Sequence, residues 1–271
     1  MLSLLSTSLI SKDPDNGTIH VHRLVQARYR ENLSPEDQYK IFMLTIKLLL
    51  EAFPKHGKGR SLRNEHATCR KFIIHVMALL DRLKEFKFTS QARGDFREFC
   101  ELAASCGWYL MEIGSWDEFF TVTNIALEVC EDKESLLYAD LCNTIGQVEC
   151  ERGRAHAARV YLVKSRTIRE QKLPKDSEDL SDLYNNYANV VNVEWKDDAA
   201  LEEALKLYER ALAIDETKPL SERSKVLHVR HLNFGTLYTC QGRYVEALEQ
   251  LKLGHKYCLE TFGADTHWDA T

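Results

Sequence analysis

No stretch of this sequence approaches the ~18 consecutive apolar residues that a membrane-spanning helix requires, so no segment is read as a span. The opening Met1-Leu2-Ser3-Leu4-Leu5 is apolar, but no basic segment precedes it and serines interrupt it, so a signal peptide is not expected. With neither feature, the expected location is the cytoplasm. The 8 cysteines include no C-x-x-C pair, and Cys100, Cys106, Cys142 and Cys150 fall inside helical patterns. Small buried residues in a reducing compartment are therefore expected rather than a disulfide framework. No G-x-x-x-x-G-K-[ST] loop occurs, since Lys58-Gly59 has the wrong spacing, and neither G-x-S-x-G nor H-E-x-x-H is found. The expectation is a non-enzyme without a cofactor. A dense Lys/Arg stripe with interleaved aromatics is missing as well, so nucleic acid is not an expected partner.

What is present is ordinary globular composition, 44% hydrophobic and 28% charged, which argues against bulk disorder. Only 5 prolines and 12 glycines interrupt 271 residues, as suits a helix-rich chain. The net charge of −5 is unevenly placed: residues 1–98 hold 17 Lys+Arg against 11 Asp+Glu, and the remainder holds 19 against 30. The two halves are expected to have different neighbours.

The organising stretch is Asp182 to Ile214, where Asp182-Leu183-Tyr184-Asn185-Asn186-Tyr187-Ala188-Asn189 is followed, after a charged turn, by Ala204-Leu205-Lys206-Leu207-Tyr208 and Ala211. A small residue in the middle of one helix faces small residues one turn apart on the next, which lets two antiparallel helices approach closely. Upstream the same grammar is Ile145-Gly146, Gly153, Ala158 and Leu162; downstream it is Phe234-Gly235, Gly242-Arg243-Tyr244, Ala247 and Leu251. A weaker copy has Gly107, Leu110, Gly114, Trp116 and Ala126. The first-helix positions 107, 146, 188 and 235 are separated by 39, 42 and 47 residues. From Gln91 onward helices are expected in pairs, with turns at Gly114-Ser115, Gly153-Arg154, Trp195 to Asp198 and Gly242-Arg243. Trp108, Trp116 and Trp195 are read as packing anchors.

Those residues resemble the tetratricopeptide repeat, with steps longer than its usual ~34 residues, as in the long-helix variety of kinesin light chains. The resemblance implies an all-α, right-handed α-solenoid of helix-turn-helix repeats over 91–271. A connector is expected at Gly263 to Trp268 with no helix after it, so the array is expected to lack a C-terminal cap.

The first thirty residues differ. Leu5–Ile10 and Thr18–His22 read as strands around the turn Asp13-Pro14-Asp15-Asn16-Gly17, and a helix follows with Leu24, Val25, Tyr29 and Leu33 as its apolar set. Residues 1–33 form one expected unit, a short β-hairpin plus helix. Residues 34–90 form a bridging helical pair, with Ser34-Pro35 opening its first helix and a second from Arg63 to Phe86. The string His22-Arg23-Leu24-Val25-Gln26 at a hairpin-to-helix junction resembles the end of the winged-helix domain of signal-transducing NTPases of the NB-ARC/NACHT type. In fungal members such a domain leads into tetratricopeptide repeats. The resemblance implies that 1–33 is a remnant of that domain, that the phosphate loop would lie upstream of residue 1, and that His22 is a nucleotide-sensor candidate. Arg23 departs from the acidic residue often found there, and an exposed histidine capping the hairpin is the alternative.

Two functions remain open. One is an interaction scaffold that holds a peptide or protein partner on its concave face. The other is a regulatory or sensor fragment of a nucleotide-switched NTPase, whose partner would be an upstream or separate nucleotide-binding domain. For the first, Asp182, Asn185, Asn189 and Asn192 lie at offsets 0, 3, 7 and 10. At about 100° per residue they cluster within roughly 80° on one helix face. Asp140, Asn143 and Gln147 repeat the offsets 0, 3 and 7 upstream, and Asn233 with Thr236 follows less regularly. Asp and Asn are each about 0.6 kcal/mol worse than Ala inside a helix, so such a stripe needs a compensating role. Amides that donate to and accept from a peptide backbone would supply it, as would amides that bond to neighbouring helices and hold the stack. The resemblance to kinesin light chains favours peptide binding. His228 and His231 share a helical face and His20 and His22 a strand face, with no complementary ligand at a suitable spacing for the first pair, so surface histidines are expected and no metal.

Overall fold

A computed structural model of the chain describes residues 9–14, 18–56, 61–87, 96–194 and 197–262. Strands β1 (Ile10–Lys12) and β2 (Ile19–Val21) pair antiparallel, with Ser11 opposite His20. The strand residues expected at 5–8 and the end of the expected turn, 15–17, lie outside the described residues. Helix α1 (Arg23–Glu31) starts at His22, whose Nδ1 accepts a hydrogen bond from Leu24 N at 3.2 Å. It buries none of its side chains: Leu24 and Tyr29 of the expected apolar set are 70% and 62% exposed. Val25 and Leu33 of that set are half-buried, so the described chain covers the expected apolar face only in part.

The bridging pair follows its capping signals. Ser34 accepts from Asp37 N at 3.1 Å with Pro35 in the first turn, and α2 (Pro35–Ala52) buries Phe42, Ile46 and Leu49 before Phe53 ends it. The loop 57–60 lies outside the described residues. Beyond it, Arg63–Glu65 is a 3-10 turn, so α3 (His66–Lys87) begins three residues later than expected. Glu112 fastens this pair to the array: its carboxylate accepts from Leu62 N at 2.9 Å, from Trp108 Nε1 at 2.8 Å and meets His66 Nε2 at 2.9 Å. Trp108, half-buried and stacked on His56, anchors as expected, and Trp116 packs against the same core; Trp195 lies outside the described residues.

Four helix pairs then follow: α4 (Arg97–Glu112) with α5 (Trp116–Val129), α6 (Leu136–Glu151) with α7 (Ala155–Lys172), α8 (Glu178–Glu194) with α9 (Asp198–Glu216), and α10 (Leu220–Cys240) with α11 (Tyr244–Phe262). Gly114, Gly153 and Gly242 adopt φ of +69°, +72° and +72° at three of the intra-pair turns. Each is followed by a residue whose N–H reaches back five positions, as in Arg154 N to Glu149 O at 2.8 Å, and the glycine N–H reaches back three. That is the Schellman ending, which requires a left-handed residue at the glycine. The third pair's turn includes 195–196, outside the described residues; α9 opens on Asp197, whose carboxylate accepts from Ala200 N at 2.9 Å.

The mid-helix small residues sit at the helix crossings. A Cβ on Gly146 would fall 2.6 Å from Leu162 Cγ and 3.3 Å from Ala158 O, and one on Gly235 would fall 2.6 Å from Leu251 Cγ. Ala188 fills the same place in the third pair, fully buried. First helices of successive pairs touch one another (α4 with α6, α6 with α8, α8 with α10), whereas contacts of that extent are not formed between successive second helices. First helices therefore line the inner side of an α-solenoid and second helices its outer side. The core falls into two clusters, one from Phe42 in α2 to Val148 in α6 and the other from Ala158 in α7 to Leu237 in α10. On α11, Tyr244, Val245 and Leu248 remain exposed; the connector expected at 263–268 lies outside the described residues.

Five cysteines are buried and three half-buried, all of them free thiols. Burial pushes the Cys69, Cys142 and Cys150 thiols up to about 11, which keeps them protonated and inert at neutral pH. His228 and His231 differ from the expected surface placement, being only 5% and 9% exposed. They pack in the crossing of α10 with α11, where His231 Nδ1 meets Gln250 Oε1 at 2.8 Å and stacks on Tyr257. Burial lowers the His228 pKa.

Candidate functional site

The inner face is built from α6, α8 and α10, and the polar stripe read from the sequence lies on these helices. Most of its members are tied across helices. Asp140 Oδ1 accepts from Arg169 Nη2 at 2.6 Å, and Arg169 Nη1 also donates to Asp179 O, joining α6, α7 and the start of α8. Asp182 Oδ1 accepts from Arg230 Nη2 at 2.6 Å, while Arg230 Nε donates to Asp215 Oδ2 at 2.8 Å. Ser181 Oγ completes that knot by donating to Asp215 Oδ1 at 2.7 Å. Burial opposes the charge on Arg230, but Asp182 and Asp215 more than offset it and raise the guanidinium's pKa.

Between these ion pairs runs an amide ladder. Asn233 Nδ2 donates to Asn185 Oδ1 at 2.8 Å, Asn185 Nδ2 to Asn186 Oδ1 at 3.5 Å, and Asn186 Nδ2 to Asn143 Oδ1 at 3.4 Å. Four asparagines thus connect three consecutive first helices. Asn143 and Asn185 are buried, whereas Asn186 and Asn233 are half-buried. Asn186 was missed from sequence because it falls outside the 0, 3, 7, 10 stripe; its position four after Asp182 is the signal that could have found it.

The remaining stripe residues are less committed. Asn189 Oδ1 accepts from Tyr208 Oη at 2.6 Å, which leaves its amide N–H groups without a partner among the described residues. Gln147 donates only along its own helix, to Glu151 Oε1 at 3.0 Å. Asn192 is half-buried and its Oδ1 has no hydrogen-bond partner. Gln147, Asn189 and Asn192 are therefore the groups with capacity to spare. His22 lies far along the chain from this face, exposed at the start of α1, with its ring capping the helix.

Among the described residues no group of three or more His, Cys, Asp or Glu is placed to hold a metal. No helix among them is long and apolar enough to cross a membrane.

Comparison with known proteins agrees with this geometry. Residues 139–179, which span α6, α7 and the start of α8, match the family profile of the tetratricopeptide repeat. No curated protein matches the chain in sequence. A crystal structure of a Podosopora anserina kinesin light chain with nearly identical TPR-like repeats superposes with a TM-score of 0.50 at 16% identity, over 74% of this chain and 95% of that one. At that identity the likeness is one of fold: both are tetratricopeptide-like helical arrays.

Proposed function

We propose that this chain is a non-catalytic scaffold that holds an extended peptide or protein segment against the inner face of α6, α8 and α10. The observation that supports this reading is the division of labour on that face. Asn143, Asn185, Asn186 and Asn233 bond to one another and fix the spacing of the helices, whereas Gln147, Asn189 and Asn192 keep donors or acceptors that a peptide backbone can complete. Selection of a random-peptide library on the intact chain tests it. Peptides selected by the wild type should bind the Gln147→Ala/Asn189→Ala/Asn192→Ala variant at least tenfold more weakly, with Tm lowered no further than by Asn189→Ala alone, which strands the Tyr208 hydroxyl. Asn185→Ala should cost about 1–3 kcal/mol by removing a buried amide and orphaning its half-buried partners Asn186 and Asn233. A library that yields no binder, or binders indifferent to the triple variant, would sink the scaffold reading.

A second reading, a regulatory fragment of a nucleotide-switched NTPase in which 1–33 derives from a winged-helix domain, draws support from α1. An element that buries none of its own side chains is suited to packing against a separate domain. On this reading the chain divides at 33/34 and again near 90, and His22 serves the absent nucleotide. Trimming to residues 34–271 should then leave the Tm within ~2 °C of the whole chain. A larger loss would make the hairpin an integral cap and remove this reading.

A further inference from the structure

Between α1 and α3 lies a cleft of about 450 Å³, lined by Arg23, Gln26 and Arg30 from one helix and by Ala78, Asp81 and Arg82 from the other. The spacings 23, 26, 30 and 78, 81, 82 each mark a single helical face, so the two helices turn these residues toward each other. Three guanidiniums and one carboxylate line it, and on α3 both Arg82 and Asp81 are engaged in interactions of their own. The arginines of the repeat array are treated differently. Arg97, Arg154, Arg159, Arg166, Arg169, Arg210, Arg230 and Arg243 each pair with a carboxylate, and Arg152 sits over the Phe120 ring. Arg23 and Arg30 have no carboxylate within 4.0 Å among the described residues, although Arg28, one turn away and outside the cleft, pairs with Glu31. Gln26 uses its amide on Val21 O at 2.8 Å, so recognition in the cleft falls to the guanidiniums.

We propose that this cleft binds a small phosphate-bearing solute carrying at least two negative charges. A guanidinium presents its N–H donors in a planar fork that matches two phosphate oxygens at once, which chloride cannot do. A phosphate group also brings the second negative charge that a single carboxylate lacks against Arg23 and Arg30. The volume falls at the low end of the ~300–1,000 Å³ range of small-molecule sites. Walls on two sides suit a compact solute better than a folded partner. The site is separate from the inner face of the array and stands or falls independently of the scaffold reading.

Calorimetric titration of the full chain with inorganic pyrophosphate at low ionic strength is the test. One saturable site is expected, weakening as potassium chloride is raised. Arg23→Gln with Arg30→Gln should weaken binding at least tenfold while leaving the circular dichroism unchanged, because α1 buries nothing that these changes could disturb. Arg28→Gln removes a charge from the same helix outside the cleft and should change the affinity less than twofold. Absence of saturable binding overturns the proposal. So does an equal loss in the Arg28 variant, which would mean diffuse attraction rather than a site. A phosphoserine peptide that binds where pyrophosphate neither binds nor competes would overturn it in favour of a protein ligand.

Discussion

Arg230→Met is expected to destabilise the chain by about 3–5 kcal/mol, because it leaves buried charge without its partner. For a chain of this size that corresponds to a fall in Tm of roughly 10 °C. Arg230 and Asp215 side chains are 4% and 5% exposed, so water cannot replace the missing guanidinium, whereas Asp182 at 29% is partly solvated. The penalty therefore concentrates at Asp215, which retains only the Ser181 hydroxyl. Asp215→Asn added to Arg230→Met should recover about half of the loss, since an amide keeps the Ser181 hydrogen bond without a charge to strand. The network joins α8, α9 and α10, and in a repeat array each unit leans mainly on its neighbours. Hydrogen exchange should accordingly show lost protection in α8–α11 with α4–α7 near wild type. A Tm shift below ~2 °C, or a double variant no better than the single, would show that the knot is not what couples these helices.

The residues of this knot show why some of the molecule was readable in advance and some was not. Gly146, Gly153, Gly235 and Gly242 were legible because each answers a constraint at one position: a crossing with no room for a Cβ, or a turn that needs positive φ. Such constraints recur once per repeat and leave a period. Arg169 and Arg230 leave none. Arg169 comes from the second helix of the pair that holds Asp140, but Arg230 comes from the first helix of the pair after Asp182. Equivalent aspartates are thus met from different elements, 29 and 48 residues away. The stripe at 182, 185, 189 and 192 was legible as a face, but its use depended on partners in other helices. Asn186 adds the link to Asn143, and Tyr208 takes up Asn189. Leu24 and Tyr29 show the limit from the other side, since periodicity identifies an apolar face without supplying a surface to cover it. His228 and His231 were read as exposed because no partner was visible nearby in sequence; their burial depends on α11, which lies across them.

Gly146→Ala should destabilise the chain despite improving the intrinsic helix propensity by about 0.8–1.0 kcal/mol. The added Cβ would lie 2.6 Å from Leu162 Cγ, a branch point rather than a free side-chain end, and 3.3 Å from the backbone oxygen of Ala158. Leu162 is fully buried, so it cannot swing aside into solvent, and α6 and α7 must separate. Overpacking of this kind costs about 1–3 kcal/mol, which exceeds the propensity gain and leaves a net loss on the order of 1 kcal/mol. Leu162→Ala alone removes side-chain carbons from the same crossing and should cost about 2–5 kcal/mol. The double variant is the informative one. With Leu162 shortened, the new methyl enters vacated space, so the pair should be more stable than the sum of the singles by about 1–2 kcal/mol, beyond the ~0.5 kcal/mol scatter of independent sites. The free energies come from urea unfolding of the three variants. Gly153→Ala serves as the contrast: nothing lies within 4 Å of its Cβ position, and its φ of +72° makes the cost one of backbone strain of about 1–2 kcal/mol, unchanged by Leu162→Ala. If Gly146→Ala and Leu162→Ala prove additive, the close crossing of α6 and α7 is not what the small residue secures.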